Sequence, residues 1–110
     1  MMHENPDTNV VIVAYRPLPG HEEETRALLN KHVPTLRTNG LITEQETLLL
    51  QSQDGTFLEI FEWNGPEAAK KAHENAQVRE TWGEMEKILE ITTLSTLPEA
   101  NKRFAPFRRG

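Results

Sequence analysis

Residues 56–63, Thr-Phe-Leu-Glu-Ile-Phe-Glu-Trp, alternate as a strand but are apolar on both sides: Phe57, Phe61 and Trp63 share one side with Glu59, and Leu58 and Ile60 share the other with Glu62. Successive strand residues point to opposite faces. Any sheet built on this segment therefore needs cover on both surfaces. A chain of 110 residues makes one domain and not two. The cover must come from a few helices, and from a second copy where those run out.

The remaining segments fall into order around that strand. Val10, Val11, Ile12, Val13, Ala14 and Tyr15 form a β-branched run that stops at Arg16-Pro17-Leu18-Pro19-Gly20, which is turn chemistry. Over residues 21–37, Leu28, Leu29, His32, Val33 and Leu36 recur at helical spacing behind Glu22, Glu23 and Glu24, acids suited to the positive end of a helix. Pro34 is expected to kink or loosen the last turn before Asn39-Gly40, a suitable C-terminal cap pair. Residues 41–52 are expected as a second strand, and Asp54-Gly55 as a hairpin turn into the third. After Asn64-Gly65-Pro66-Glu67 comes a helix whose stripes disagree in phase: Ala69, Ala72 and Ala76 mark one, while Val78, Trp82, Met85, Ile88 and Leu89 mark another. The step from Ala72 to Val78 is out by about 240° at 100° per residue. A break near Asn75-Ala76-Gln77 is expected, with a short helix before it and a longer one after. Residues 91–97 alternate again as a fourth strand, ended by Pro98-Glu99.

The order β-α-β-β-α-β describes an α+β, ferredoxin-like sandwich: an antiparallel four-stranded sheet with its helices on one face. The other face is left bare, so a homodimer packed sheet to sheet is expected, each buried large apolar side chain contributing about 1.5–3 kcal/mol. Three parts are expected: a flexible N-terminus at residues 1–8, the domain at 9–97, and a tail at 98–110. Lys102, Arg103, Arg108 and Arg109 put four positive charges in the last nine residues, with Phe104 and Phe107 interleaved; the whole chain carries −5, so the remainder carries −9. Docking of the tail on the acidic body or on a partner subunit is favoured over an RNA-binding arm, whose few charges would oppose the repulsion of the rest.

Several chemistries find no support. There is no cysteine, hence no disulfide or thiolate site. His-Glu occurs at His3, His21 and His73, but a zinc-protease helix needs a second His four positions on, where Asp7, Thr25 and Gln77 stand. No metal site, Gly-rich phosphate loop or serine-nucleophile turn is read. With neither a leader-like start nor an apolar run of membrane length, a cytoplasmic, soluble protein without nucleic-acid or membrane partners is expected.

Phe61-Glu62-Trp63-Asn64-Gly65-Pro66-Glu67-Ala68-Ala69-Lys70-Lys71-Ala72-His73, together with Asn39-Gly40-Leu41-Ile42, resembles the antibiotic-biosynthesis-monooxygenase-like members of the dimeric α+β barrel superfamily. The resemblance spans residues 9–97. It implies pairing into a dimeric barrel, and cofactor-independent oxygenation of a small aromatic or quinonoid molecule; that family also holds haem-degrading proteins and proteins of unassigned role. In the haem-degrading branch it implies an Asn on strand one and a Trp and a His on the second helix. Here only Asn9 borders strand one, and the histidine's position falls near residues 81–83, which disfavours haem chemistry. In the quinone-forming branch Asn64, Trp63 and Arg79 are approximate counterparts.

The residues themselves nominate His73 and Glu59 as candidate catalytic groups. His73 lies beside the expected helix break, where an imidazole can act as a base toward a phenol. Glu59 is mid-strand among aromatics, where a carboxylate is unusual; Glu44 and Glu46 share its alternation but fall nearer strand ends. Tyr15, Phe61, Trp63 and Trp82 are candidate walls of a flat apolar pocket for an aromatic ligand. His32 faces the sheet and is either a hydrogen-bonded core histidine or part of that pocket. No cofactor is called for. The competing functional class is a non-catalytic ligand-binding or regulatory homodimer of the same fold.

Overall fold

A computed structural model describes residues 8–110. The expected flexible segment at residues 1–8 lies, apart from Thr8, outside the described residues. The elements are β1 (Val10–Pro17), α1 (Glu22–Thr38), β2 (Leu48–Gln51), β3 (Phe57–Glu62), α2 (Ala68–Glu74), α3 (Ala76–Glu86), β4 (Leu89–Thr92), a single 3-10 turn (Leu94–Thr96) and β5 (Arg108–Arg109). The sheet is antiparallel in the order β4-β1-β3-β2-β5. Its first four strands have the ferredoxin-like arrangement. The fifth comes from the tail and corrects the expected four-stranded sheet.

Helix α1 continues through Pro34 to Thr38 without ending early. Proline removes one amide donor, which leaves the Asn30 carbonyl without its helical partner; both residues are exposed, where water can meet it. The helix then closes as the sequence suggests. Gly40 takes φ 70°, its amide donates to the Arg37 carbonyl, and the Leu41 amide donates to the Leu36 carbonyl, the paired bonds of a glycine-terminated helix. The break between α2 and α3 falls at Asn75, whose backbone is extended at ψ 122° and whose Oδ1 accepts from the Val78 amide at 3.0 Å. Its Nδ2 donates to Asn39 Oδ1 at 3.1 Å, so the cap that starts α3 is also tied to the end of α1.

Two strands are shorter or shifted relative to the alternation. Strand β2 begins at Leu48, with only an isolated bridge from Ile42 to Trp63 before it. Thr43 Oγ1 accepts from the Gln45 amide and donates to Glu62. This local bond competes with the ladder and bends the chain, leaving Glu44, Gln45 and Glu46 exposed. Strand β4 spans Leu89–Thr92, starting and ending earlier than residues 91–97 suggest. The Thr96 amide and hydroxyl both return to the Thr93 carbonyl, and Thr93 and Ser95 hydroxyls bond each other at 2.9 Å. A hydroxyl-rich run has curled into a turn.

The main core lies between the helices and one sheet face. Tyr15, Leu29, Phe57 and Met85 pack at one end, and Leu36, Ile42, Phe61 and Val78 at the other. The opposite face has a smaller cluster of Ala14, Leu58 and Leu97, with Leu50 and Phe107 against it. The tail thus docks on its own chain. Phe107 is a half-buried anchor, whereas Phe104 is exposed and anchors nothing. Among the described residues no helix is long and apolar enough to cross a membrane.

Candidate functional site

The register of β1 on β3 sets Tyr15 opposite Phe57 and Val13 opposite Glu59. All four therefore share the face that meets the helices. His32 descends from α1 onto the same place, and Trp82 comes from α3. Between them lies a cavity of about 490 Å³, within the size range of small-molecule sites. Tyr15, His32, Phe61, Trp63, His73 and Trp82 all line it. Six of the seven residues nominated from sequence are thereby brought to one wall system.

The seventh, Glu59, does not line this cavity. It lies behind Tyr15 and His32, and its Oε1 accepts both the Tyr15 hydroxyl at 2.9 Å and His32 Nδ1 at 2.9 Å. Trp82 Nε1 donates to His32 Nε2 at 2.9 Å. An indole nitrogen can only donate, so Nε2 is an acceptor and the ring proton sits on Nδ1, pointing at Glu59. The two alternatives for His32 are both realised: it is a buried, fully hydrogen-bonded histidine and a cavity wall. The direct contact expected of Glu59 belongs to His32 instead.

The electrostatics follow from burial. Tyr15 and Glu59 are 3 % and 1 % exposed. Burial first, then the charge of Glu59 and the hydrogen bond to it, push the Tyr15 phenol far above its ordinary range, so it serves as a fixed donor and not as a proton source. A carboxylate this deep is tolerated because charged acceptors are satisfied by donors on both sides. Glu59 also borders a second cavity of about 230 Å³ beneath α1, near Asn30, Pro34 and Thr47. It thus stands between two openings.

His73 is exposed at the rim, its ring edge-on to Trp82 at 4.9 Å between centroids. It makes no hydrogen bond with the described residues. The aromatic walls meet nearly at right angles, Phe61 to Trp63 at 87° and His32 to Phe61 at 84°, which favours edge-to-face contacts. Of the approximate counterparts in the quinone-forming branch, only Trp63 reaches the cavity; Asn64 donates to the Gly40 carbonyl and Arg79 is exposed.

Sequence reasoning did not find Met85, Glu86 or Ile91 on the wall. Trp82, Met85 and Glu86 stand at i, i+3 and i+4, the spacing that shares one helix face, and that signal was available. Ile91 was not predictable, because its place depends on where β4 starts. No family model and no curated protein matches this chain.

Proposed function

We propose that this chain is an antibiotic-biosynthesis-monooxygenase-like protein that takes a small aromatic or quinonoid molecule into the 490 Å³ cavity and oxygenates it without a cofactor. The observation that carries the reading is the buried Glu59–His32 pair at the cavity wall. A bound molecule with an acidic C–H or O–H takes the place of the Trp82 indole at His32 Nε2. The imidazole accepts the proton, and Glu59, on the far nitrogen, offsets the positive charge that forms. The resulting aromatic anion is the reductant for dioxygen. With an anthrone as substrate, the CH2 carbon becomes a carbonyl: one oxygen atom enters the product, the other leaves as water with the two hydrogens, and no outside electrons are needed. His73 at the rim is placed to meet the molecule's outer oxygen.

The expected result is protein-dependent oxygen uptake with anthrone, one dioxygen per anthraquinone. His32→Gln lowers kcat by about 10²-fold or more, the usual contribution of a positioned base, while binding persists. No protein-dependent uptake with any acidic aromatic, or full activity in His32→Gln, removes the enzymatic reading.

A second reading is favoured by one observation: both nitrogens of His32 are already engaged, one by Trp82 and one by Glu59. A ligand-binding or regulatory dimer needs only the shape of the cavity. Binding of anthraquinone, seen as quenching of Trp63 and Trp82, without any turnover of anthrone would select it.

Under either reading we propose the homodimer of the barrel superfamily. The tail covers only part of the outer sheet face; Val10, Ile12 and Leu48 remain 63 %, 47 % and 41 % exposed. Ile12 lines a groove of about 430 Å³ with Ile60, Leu94 and Phe107. An identical apolar patch on a second chain is its own complement across a two-fold axis. Sedimentation at micromolar concentration is expected to give twice the chain mass, and Ile12→Glu to give the single chain. A wild-type monomer rejects the pairing.

A further inference from the structure

The cavity's charge is one-sided. None of its twelve lining residues is a lysine or an arginine. Two carboxylates stand among them, Glu86 and Glu90. Glu90 is engaged by Arg16 Nη1 at 3.3 Å. Glu86 is exposed and accepts no hydrogen bond from the described residues. It follows Trp82 by one helical turn, which sets it at the opening above the aromatic walls.

The interior offers few donors. The Tyr15 hydroxyl and both His32 nitrogens are spent within the Glu59 network. The indole N–H of Trp63 and the ring of His73 make no hydrogen bond with the described residues, so they remain for a carbonyl or hydroxyl oxygen, joined by the Trp82 indole N–H once a ligand takes its place at His32. A carboxylate or phosphate entering this space loses water and finds no guanidinium or ammonium among the lining side chains, Arg16 being engaged by Glu90, and an unpaired buried anion is strongly disfavoured. Turned outward, it meets Glu86. A cation meets the opposite situation: four of the lining residues, Tyr15, Phe61, Trp63 and Trp82, are aromatic, a ring attracts a cation that reaches its face, and Glu86 adds its charge.

We infer that the cavity admits aromatic ligands that are uncharged or carry an amine and excludes those that carry a carboxylate or phosphate. This rests on the reading of the cavity as an aromatic-ligand site and adds the ligand's charge class to it.

The test uses naphthol, naphthoate and naphthylmethylammonium, one ring system in three charge states, titrated calorimetrically into the full chain at about pH 8.5, above the range in which ordinary imidazoles titrate. Naphthoate is expected to bind at least about tenfold more weakly than naphthol, and the ammonium as well as naphthol or better. Glu86→Lys, an exposed change that leaves the core intact, is expected to recover about threefold or more of the naphthoate binding and to weaken the ammonium. Naphthoate binding within about twofold of naphthol, or a Glu86→Lys chain with unchanged preferences, overturns the charge selection and leaves the aromatic site standing. Binding of none of the three overturns the aromatic site, and the selection with it.

Discussion

Glu59→Ala is expected to lower the thermal midpoint by about 12–24 °C, the largest effect of any single change near the cavity. The carboxylate accepts the Tyr15 hydroxyl and His32 Nδ1, both buried. A hydrogen bond to a charged group contributes about 1.5–3 kcal/mol, and the stranded donors keep their desolvation cost. The sum over the two bonds, about 3–6 kcal/mol, is a large part of the roughly 5–15 kcal/mol that holds a domain of this size, and at this chain length each kcal/mol moves the midpoint by about 4 °C. Glu59→Gln keeps an acceptor in place and is expected to cost less than half as much. A cycle with Tyr15→Phe separates the network from simple loss of bulk: the hydroxyl deletion costs about 1–2 kcal/mol in the native chain and close to nothing once Glu59 is gone. A Glu59→Ala chain that melts within about 3 °C of the native one would falsify the claim that this carboxylate organises the site.

The same network marks the border between what was legible in the sequence and what was not. Local chemistry was readable: Asn39-Gly40 closes α1, Asp54-Gly55 turns the hairpin, and the phase slip between Ala72 and Val78 became a break at Asn75. Each depends on residues within one or two turns of chain. Alternation also placed Glu59, Phe57 and Phe61 on one face, since a strand of period two leaves no choice. Less legible were the places where side-chain hydroxyls draw the backbone out of the ladder, as Thr43 does before β2 and Thr93 after β4; these bonds are short-range, but no apolar pattern announces them. The pairing of His32 with Glu59 spans 27 positions and that of Trp82 with His32 spans 50. Only the packing of α1 and α3 on the sheet brings these residues together. His73 and Glu59 were nominated one by one as proton carriers, and it is this packing that interposes His32 between Glu59 and the cavity.

Deleting residues 98–110 is expected to destabilise the chain by about 3 kcal/mol and to make it prone to association through an edge of the sheet. The tail is held at three points. Glu99, 2 % exposed, accepts the Ser52 hydroxyl at 2.7 Å and the Gln53 amide at 2.9 Å. Phe107 packs on the Leu58 and Leu97 cluster. Arg108 and Arg109 pair with Gln51 and Leu50, and the Gly110 amide donates to the Leu49 carbonyl at 2.8 Å. A Cβ on Gly110 would come within 2.8 Å of the Leu49 side chain, so the last residue is pressed against β2 where only glycine fits. The first of these anchors has a pH signature. Burial pushes the Glu99 carboxyl up, but the hydrogen bonds from the Gln53 amide, the Ser52 hydroxyl and its own backbone amide outweigh it and hold the group below its ordinary value of 4.5. A carboxyl with a depressed value in the folded chain stabilises fully above its unfolded value, and that contribution fades as pH falls through the folded one. The difference in stability between the full chain and Glu99→Ala should therefore be constant from neutral pH down to about 5 and shrink below 4.5, read as denaturation midpoints on both chains across that range. Equal midpoints for the two chains at pH 7 would show that the tail is held by Phe107 and β5 alone.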